Sequence, residues 1–178
     1  MGRAKKESIS IEELARNLAT YAIDREEIKE LIRSIPKEND LNLATVEYEL
    51  QILRILSIGW AISFYMPERS GKKSLSLLFW EHIREISTSI SNLMENTTGR
   101  SIDYFMILKE RLDIYLSAMQ KNPDNASQPT VIMGPVFASV CGVPENPMAI
   151  LIGTKMFTLC LGSVKAYMDS VKIETVLC

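Results

Sequence analysis

Forty consecutive residues, Asn125 to Val164, carry only two charges, Glu145 and Lys155. A segment that apolar has to be hidden in a core, against a partner or in lipid, because an exposed apolar surface of that extent is unfavourable in water. The rest of the chain is charged at ordinary density, and charged residues make up 24% of the whole. A chain of 178 residues fits one domain, and a domain of this size buries roughly 70% of the surface its unfolded chain would expose. A core can therefore supply the hiding place. Only eight glycines and seven prolines occur, which favours helix over a turn-rich β architecture.

Charge and cysteine usage narrow the function classes. Twenty Lys and Arg stand against twenty-two Asp and Glu, so the basic surplus needed to neutralise phosphates is missing and no nucleic-acid partner is expected. Three cysteines, Cys141, Cys160 and Cys178, cannot all pair within one chain, and no signal-peptide pattern opens the sequence. The reading is a reduced, cytoplasmic protein. The triplets Asn96-Thr97-Thr98 and Asn125-Ala126-Ser127 then carry no glycan. Lys6 stands where myristoylation needs Ser or Thr, and Cys178 is the last residue where prenylation needs the fourth from last.

Helix signals run along the whole chain. Ser10-Ile11-Glu12-Glu13 is a capping box that opens a helix with Leu14, Ala15 and Leu18 on one face. Asp24-Arg25-Glu26-Glu27 repeats the device before the stripe Ile28, Leu31, Ile32, Ile35. Pro36 to Asp40 holds no apolar residue, so residues 1–40 are expected to form a helical hairpin and linker attached to a body over 41–178.

From Leu43 the positions 43, 46, 50, 53, 57, 60 and 64 form one seam, and Tyr48, Ile52, Ile55, Gly59, Ile62 and Met66 form a second on roughly the opposite side. A helix apolar all round belongs at the centre of a bundle. Phe79, Ile83, Ile86, Ile90 and Leu93 mark the next helix, and Phe105, Leu108, Leu112, Tyr115 and Met119 the one after. Gly134-Pro135 interrupts the following apolar run, which implies a kinked or short helix, and Asn146-Pro147 caps a long last helix. That last helix again carries two seams in its first half. Short loops between long helices make antiparallel neighbours. The expected fold is an all-α bundle of four or more long helices with a short N-terminal hairpin.

Candidate chemistry is sparse. His82 is the single histidine; it sits one residue from the Phe79/Ile83 stripe, and metal sites in bundles need several ligands such as paired Glu-x-x-His, which does not occur here. Cys141 and Cys160 lie in apolar sequence without a Cys-x-x-Cys pair and read as buried thiols. No catalytic residue, metal ligand or cofactor is assigned. Arg69, Lys72 and Lys73 flank a helix start and are the candidate anion-binding residues, although Met66 stands where a phosphate-binding loop needs glycine. The opening hairpin resembles a helix-turn-helix only superficially, since its second helix is net acidic. Met148 to Val164 is seventeen residues, the lower limit for a membrane span, and Lys155 at its centre would cost about 3 kcal/mol. A buried helix is expected instead.

The double seams exceed what one small bundle needs, so something is expected to cover the second side. A homodimer is the leading expectation, with Ile52, Ile55, Ile62, Ile152 and Leu159 at its interface. The alternative is an apolar small-molecule or lipid-binding protein whose pocket is lined by Met133, Phe137, Met148 and Met156, because methionine suits adaptable apolar pockets. An enzyme with a site assembled from distant helices stands third.

Overall fold

A computed structural model describes residues 6–66, 71–125 and 128–174 of the protein. In chain order the elements are β1 (Glu7–Ile9), α1 (Ile11–Ile23), α2 (Glu26–Arg33), α3 (Leu43–Tyr65), α4 (Lys72–Thr98), α5 (Tyr104–Lys121), one 3-10 turn (Pro123–Asn125), α6 (Pro129–Val140), α7 (Pro147–Ser170) and β2 (Val171–Ile173). The expected all-α bundle forms. The strands are an addition to it: β1 pairs in parallel with β2, Glu7 opposite Val171 and Ile9 opposite Ile173. Pairs that far apart in sequence leave no local periodicity to read.

Helix starts follow their capping chemistry. Ser10 accepts from the Glu13 amide at 3.1 Å, Asn42 from Thr45 at 3.2 Å, and Asn146 from both Met148 and Ala149. Each side-chain oxygen replaces the missing carbonyl of a preceding turn. Asp24 accepts from the Glu26 amide at 2.9 Å and turns the chain from α1 into α2.

α3 is the centre. Every residue from Ile52 to Gly59 is buried, because α1, α2, α4, α5, α6 and α7 all pack against this one helix. From Ile52 on, the second seam expected to face a partner is thus covered by the chain's own helices, and only Tyr48 at its start is exposed. Trp80 of α4 passes so close to Gly59 that a Cβ there would lie 2.6 Å from its ring. α6 and α7 approach closely for the same reason. A Cβ on Gly134 would meet the Ile150 carbonyl oxygen at 2.5 Å, and one on Gly153 would meet Phe137 Cβ at 2.6 Å. The Gly134-Pro135 break expected in this region gives a short continuous helix with Pro135 inside it.

The N-terminal hairpin, expected to stand before the body, is packed into it. Leu14, Ala15, Ala22 and Ile28 are fully inaccessible and belong to the same contiguous core as α3 and α7. Two charged side chains of α3 share that core. Arg54 is completely buried: its Nε and Nη2 donate to the Tyr21 carbonyl at 3.0 and 2.9 Å, its Nη1 pairs with Glu27, and its guanidinium lies 4.2 Å from the Tyr21 ring centre. Burial alone would lower its pKa, but the Glu27 carboxylate hydrogen-bonded to it holds it above the ordinary value. Glu49, one and a half turns earlier, receives Nε and Nη2 of Arg111 from α5 at 2.9 and 2.6 Å. These pairs bolt the hairpin and α5 onto opposite stretches of the central helix, since a buried charge that loses its partner is costly.

Candidate functional site

Where α3 and α4 diverge, a cleft of about 510 Å³ opens beside the α1–α2 corner and the start of α5. Its origin is a mismatch of side-chain size. α4 presents Ile83, Ile86 and Ile90 in the rhythm of a core helix, while α3 answers with Ala44, Tyr48, Gln51 and Ile55. Ala44 is too small to reach the isoleucines and Gln51 is turned elsewhere, so the stripe is buried at Ile83, half-buried at Ile86 and more than one-third exposed at Ile90. A cavity of this volume and apolar character is in the range of small-molecule sites.

The polar groups around it are few. Gln51 Nε2 donates to the carbonyl of Ala22 at 2.9 Å; that carbonyl lies in the last turn of α1, where no intrahelical donor remains. Gln51 Oε1 is buried and has no hydrogen-bond partner among the described residues. Ser87 Oγ donates to the Ile83 carbonyl at 2.7 Å, and Ser91 Oγ donates to the Ser87 carbonyl and accepts from the Tyr104 amide. Tyr48 and Tyr104 meet edge to face with centroids 6.3 Å apart. Burial, and then the neighbouring Tyr48 and Glu49, raise the Tyr104 phenol pKa, so it stays protonated and able to donate. Arg25 and Glu47, the charged side chains that line the cleft among the described residues, form an ion pair with the two side chains 57% and 35% exposed.

Of the site residues singled out in the sequence, Ile55 lines this cleft and the others fall elsewhere. Met133, Phe137 and Met156 are buried and Met148 half-buried in the packing of α6 and α7. The space beside Met133 and Phe157 is only about 20 Å³, no more than about one water molecule fills it, and these residues form core and not a pocket. Of the five interface candidates, Ile52, Ile55, Ile62 and Ile152 are buried within the single chain at 2% exposure or less, so they have no face to offer a second copy. Leu159 alone is exposed, on the outer side of α7. Lys72 is half-buried and Lys73 exposed in the first turn of α4, behind Gly71 in the left-handed conformation at φ 83°; Arg69 lies outside the described residues, as does Cys178.

His82 is half-buried, with Nδ1 3.6 Å from Glu85 on the same helix. Burial pushes the thiols of Cys141 and Cys160 up to about 12, and Cys160 Sγ rests 3.6 Å from Met156 Sδ. Protonated thiols of this kind are poor nucleophiles and metal ligands. Among the described residues no three His, Cys, Asp or Glu side chains cluster. α7 is the one described helix long and apolar enough to cross a membrane, and it packs on α3 and α6.

The cleft residues were visible in the sequence as a stripe but not as an opening. The available signal was the pairing of Ile83, Ile86 and Ile90 with a stretch of α3 that holds Ala44 and Gln51; it becomes readable only once the two helices are known to face each other. Set against protein-family models, curated proteins and solved structures, the chain matches none of them.

Proposed function

We propose that this is a cytoplasmic apolar-ligand-binding protein that holds a small amphiphile or lipid-like molecule in the cleft between α3 and α4. The observation that carries the reading is the cleft of about 510 Å³ faced by Ile55, Ile83, Ile86 and Ile90 with a short polar rim. Of these, Ile86 is half-buried and Ile90 is 36% exposed; aliphatic surface left open to water is unfavourable by roughly 25 cal/mol per Å², so a ligand that covers these two side chains gains that energy. The groups around the cleft are aliphatic, aromatic, hydroxyl, amide and one closed ion pair, a set suited to holding a molecule and not to transforming it.

Binding is tested with the fluorescent probe 1-N-phenylnaphthylamine and with native mass spectrometry of protein purified from cells. Wild type should enhance probe emission, and Ile86→Arg should weaken the probe at least about tenfold while retaining the helical circular dichroism. Equal binding by the variant would refute the assignment of the cleft. A homodimer is the second reading, favoured by a separate observation: Trp60, Trp80, Leu112 and Leu116 form a groove of about 340 Å³ beside Phe64, which is 67% exposed. The same mass spectrum decides it, because a dimer doubles the mass and a ligand adds a few hundred daltons at most.

A further inference from the structure

The proportions of the cleft fix which part of a ligand it selects, an inference that rests on the apolar-ligand reading. α3 and α4 run antiparallel: Gly59 of α3 meets Phe79 and Trp80 of α4, whereas Tyr48, three turns earlier, stands against Tyr104, whose amide donates to Ser91. At Gly59 the helices touch, since a Cβ there would lie 2.6 Å from the Trp80 ring and 3.4 Å from Phe79. One turn on, Ile55 and Ile83 are 2% and 1% exposed, and here the cleft has its floor. Accessibility then rises through half-buried Ile86 to Ile90 at 36%, and the walls end at exposed Ala44 and half-buried Met94. The cleft is a trough, shut at one end and open at the other.

Its length follows from the two helices. Ala44 to Ile55 and Ile83 to Met94 each span eleven residues, about 16 Å at the rise of an α-helix. An extended alkyl tail advances about 1.25 Å per carbon, from a bond of about 1.5 Å and an angle near 111°. About ten to twelve carbons therefore reach from mouth to floor once the terminal methyl keeps its van der Waals distance. A methylene takes about the volume of a water in the liquid, roughly 30 Å³, so a tail of about twelve occupies roughly 360 Å³. The cleft of about 510 Å³ holds one such tail and not two.

Charge leaves the selection to the tail. Arg25 and Glu47, which line the cleft, pair with each other, and Glu47 is one turn from Ala44 at the mouth. Among the described residues the lining thus offers a head of either sign no uncompensated partner.

We infer that the cleft takes a single-tailed amphiphile of about ten to twelve carbons, tail first, with the terminal methyl against Ile55 and Ile83 and the head in water at the mouth. The floor residues set the length, and Ile86, Ile90 and Met94 supply the apolar surface that the tail covers.

The test is displacement of bound 1-N-phenylnaphthylamine by alkanoates and by alkyltrimethylammonium ions of about six to sixteen carbons, each below its micelle concentration. Affinity should rise about fourfold per carbon, level off at about ten to twelve carbons, and agree between the two heads within about tenfold. In Ile83→Phe, shown to be folded by circular dichroism, levelling should come about two carbons earlier, because the ring raises the floor. In Ile90→Ala all lengths should weaken alike and the break should stay in place. Affinity that climbs to the longest tails, or no dependence on length, overturns the inference while leaving the apolar site standing. A preference for one head above about tenfold overturns the assignment of selectivity to the tail. A break unmoved in Ile83→Phe, or moved in Ile90→Ala, overturns the placing of the floor. Probe that fails to bind wild type removes the binding reading itself, and the inference with it. If Ile83→Phe does not fold, the wild-type series alone decides.

Discussion

Arg54 and Glu27 form one ion pair with unequal surroundings, and the inequality predicts which half is the more costly to remove. Arg54 is wholly buried, whereas the Glu27 side chain keeps 34% of its exposure. Glu27→Ala leaves the guanidinium in the core with only the Tyr21 carbonyl and ring as company. Loss of one partner of a buried pair costs about 3–5 kcal/mol; water reaching a one-third exposed carboxylate screens the pair and reduces this to about 2–3 kcal/mol. Arg54→Met removes the buried charge and fills most of its volume, and Glu27 can turn to water. What remains is a Tyr21 carbonyl that keeps only the Asp24 amide as donor, at 3.3 Å, a loss of about 1 kcal/mol. The acid should thus be worse to lose than the base, and Glu27→Ala/Arg54→Met should be no worse than Glu27→Ala alone, since the second change removes the stranded charge. Urea unfolding followed by circular dichroism gives all four free energies, and the single Glu27→Ala change should lower the melting temperature by roughly 4–12 °C for a chain of this size. Arg54→Met destabilising by more than Glu27→Ala would refute the reasoning. So would a double variant with both penalties summed, because either result means the pair is not limited by the desolvation of Arg54.

Three further outcomes follow from the packing. Deleting residues 1–38 should abolish cooperative unfolding: Leu14, Leu18 and Ile28, exposed by 1% or less, contribute about 1.5–3 kcal/mol each, their loss strands Arg54 as well, and total stability is only about 5–15 kcal/mol. A truncated chain with a sharp thermal transition would contradict this. Gly134→Ala should cost about 1–3 kcal/mol or more by urea titration, since its Cβ would lie 2.1 Å from Thr154 Oγ1 and 2.5 Å from a backbone oxygen that cannot move aside; an unchanged midpoint would show that α6 can shift. Raised thiol pKa values mean the folded state holds those protons more tightly than the unfolded chain, so this contribution is fully present below about pH 9 and is lost as pH rises toward 12. Urea midpoints should fall between pH 9 and 11 in wild type and fall less steeply in Cys160→Ala; parallel curves would remove Cys160 from the account.

Much of the fold was legible because it is written locally. Ser10 and Asn146 are caps within three residues of the amides they serve, and the double seam of Ile52 to Met66 placed its helix at the centre. The same double seam misled about what lies opposite it. Periodicity says that a face is buried but not by what, and Ile52, Ile55, Ile62 and Ile152 are covered by other helices of the same chain. Glu49 and Arg54 could not be read as core residues, since their burial depends on Arg111 and Glu27 brought from other helices. The cleft is non-local in the same way: its volume is the difference between two helices' side chains, and neither helix alone records it.

The short sheet has a mechanical meaning. Because β1 and β2 run in parallel, tension applied at the two ends of the chain pulls the strands along their axes in opposite directions. That is shear: the evenly spaced bonds of a parallel ladder, continued by the Glu174 amide to the Ile9 carbonyl at 2.9 Å, are loaded together and not unzipped one at a time. Ile9 and Val171, 5% and 8% exposed, shield the ladder from water that would compete for those bonds. Three residues at either end thereby act as a clasp, and stretching the molecule must break it before any force reaches the helices around the cleft.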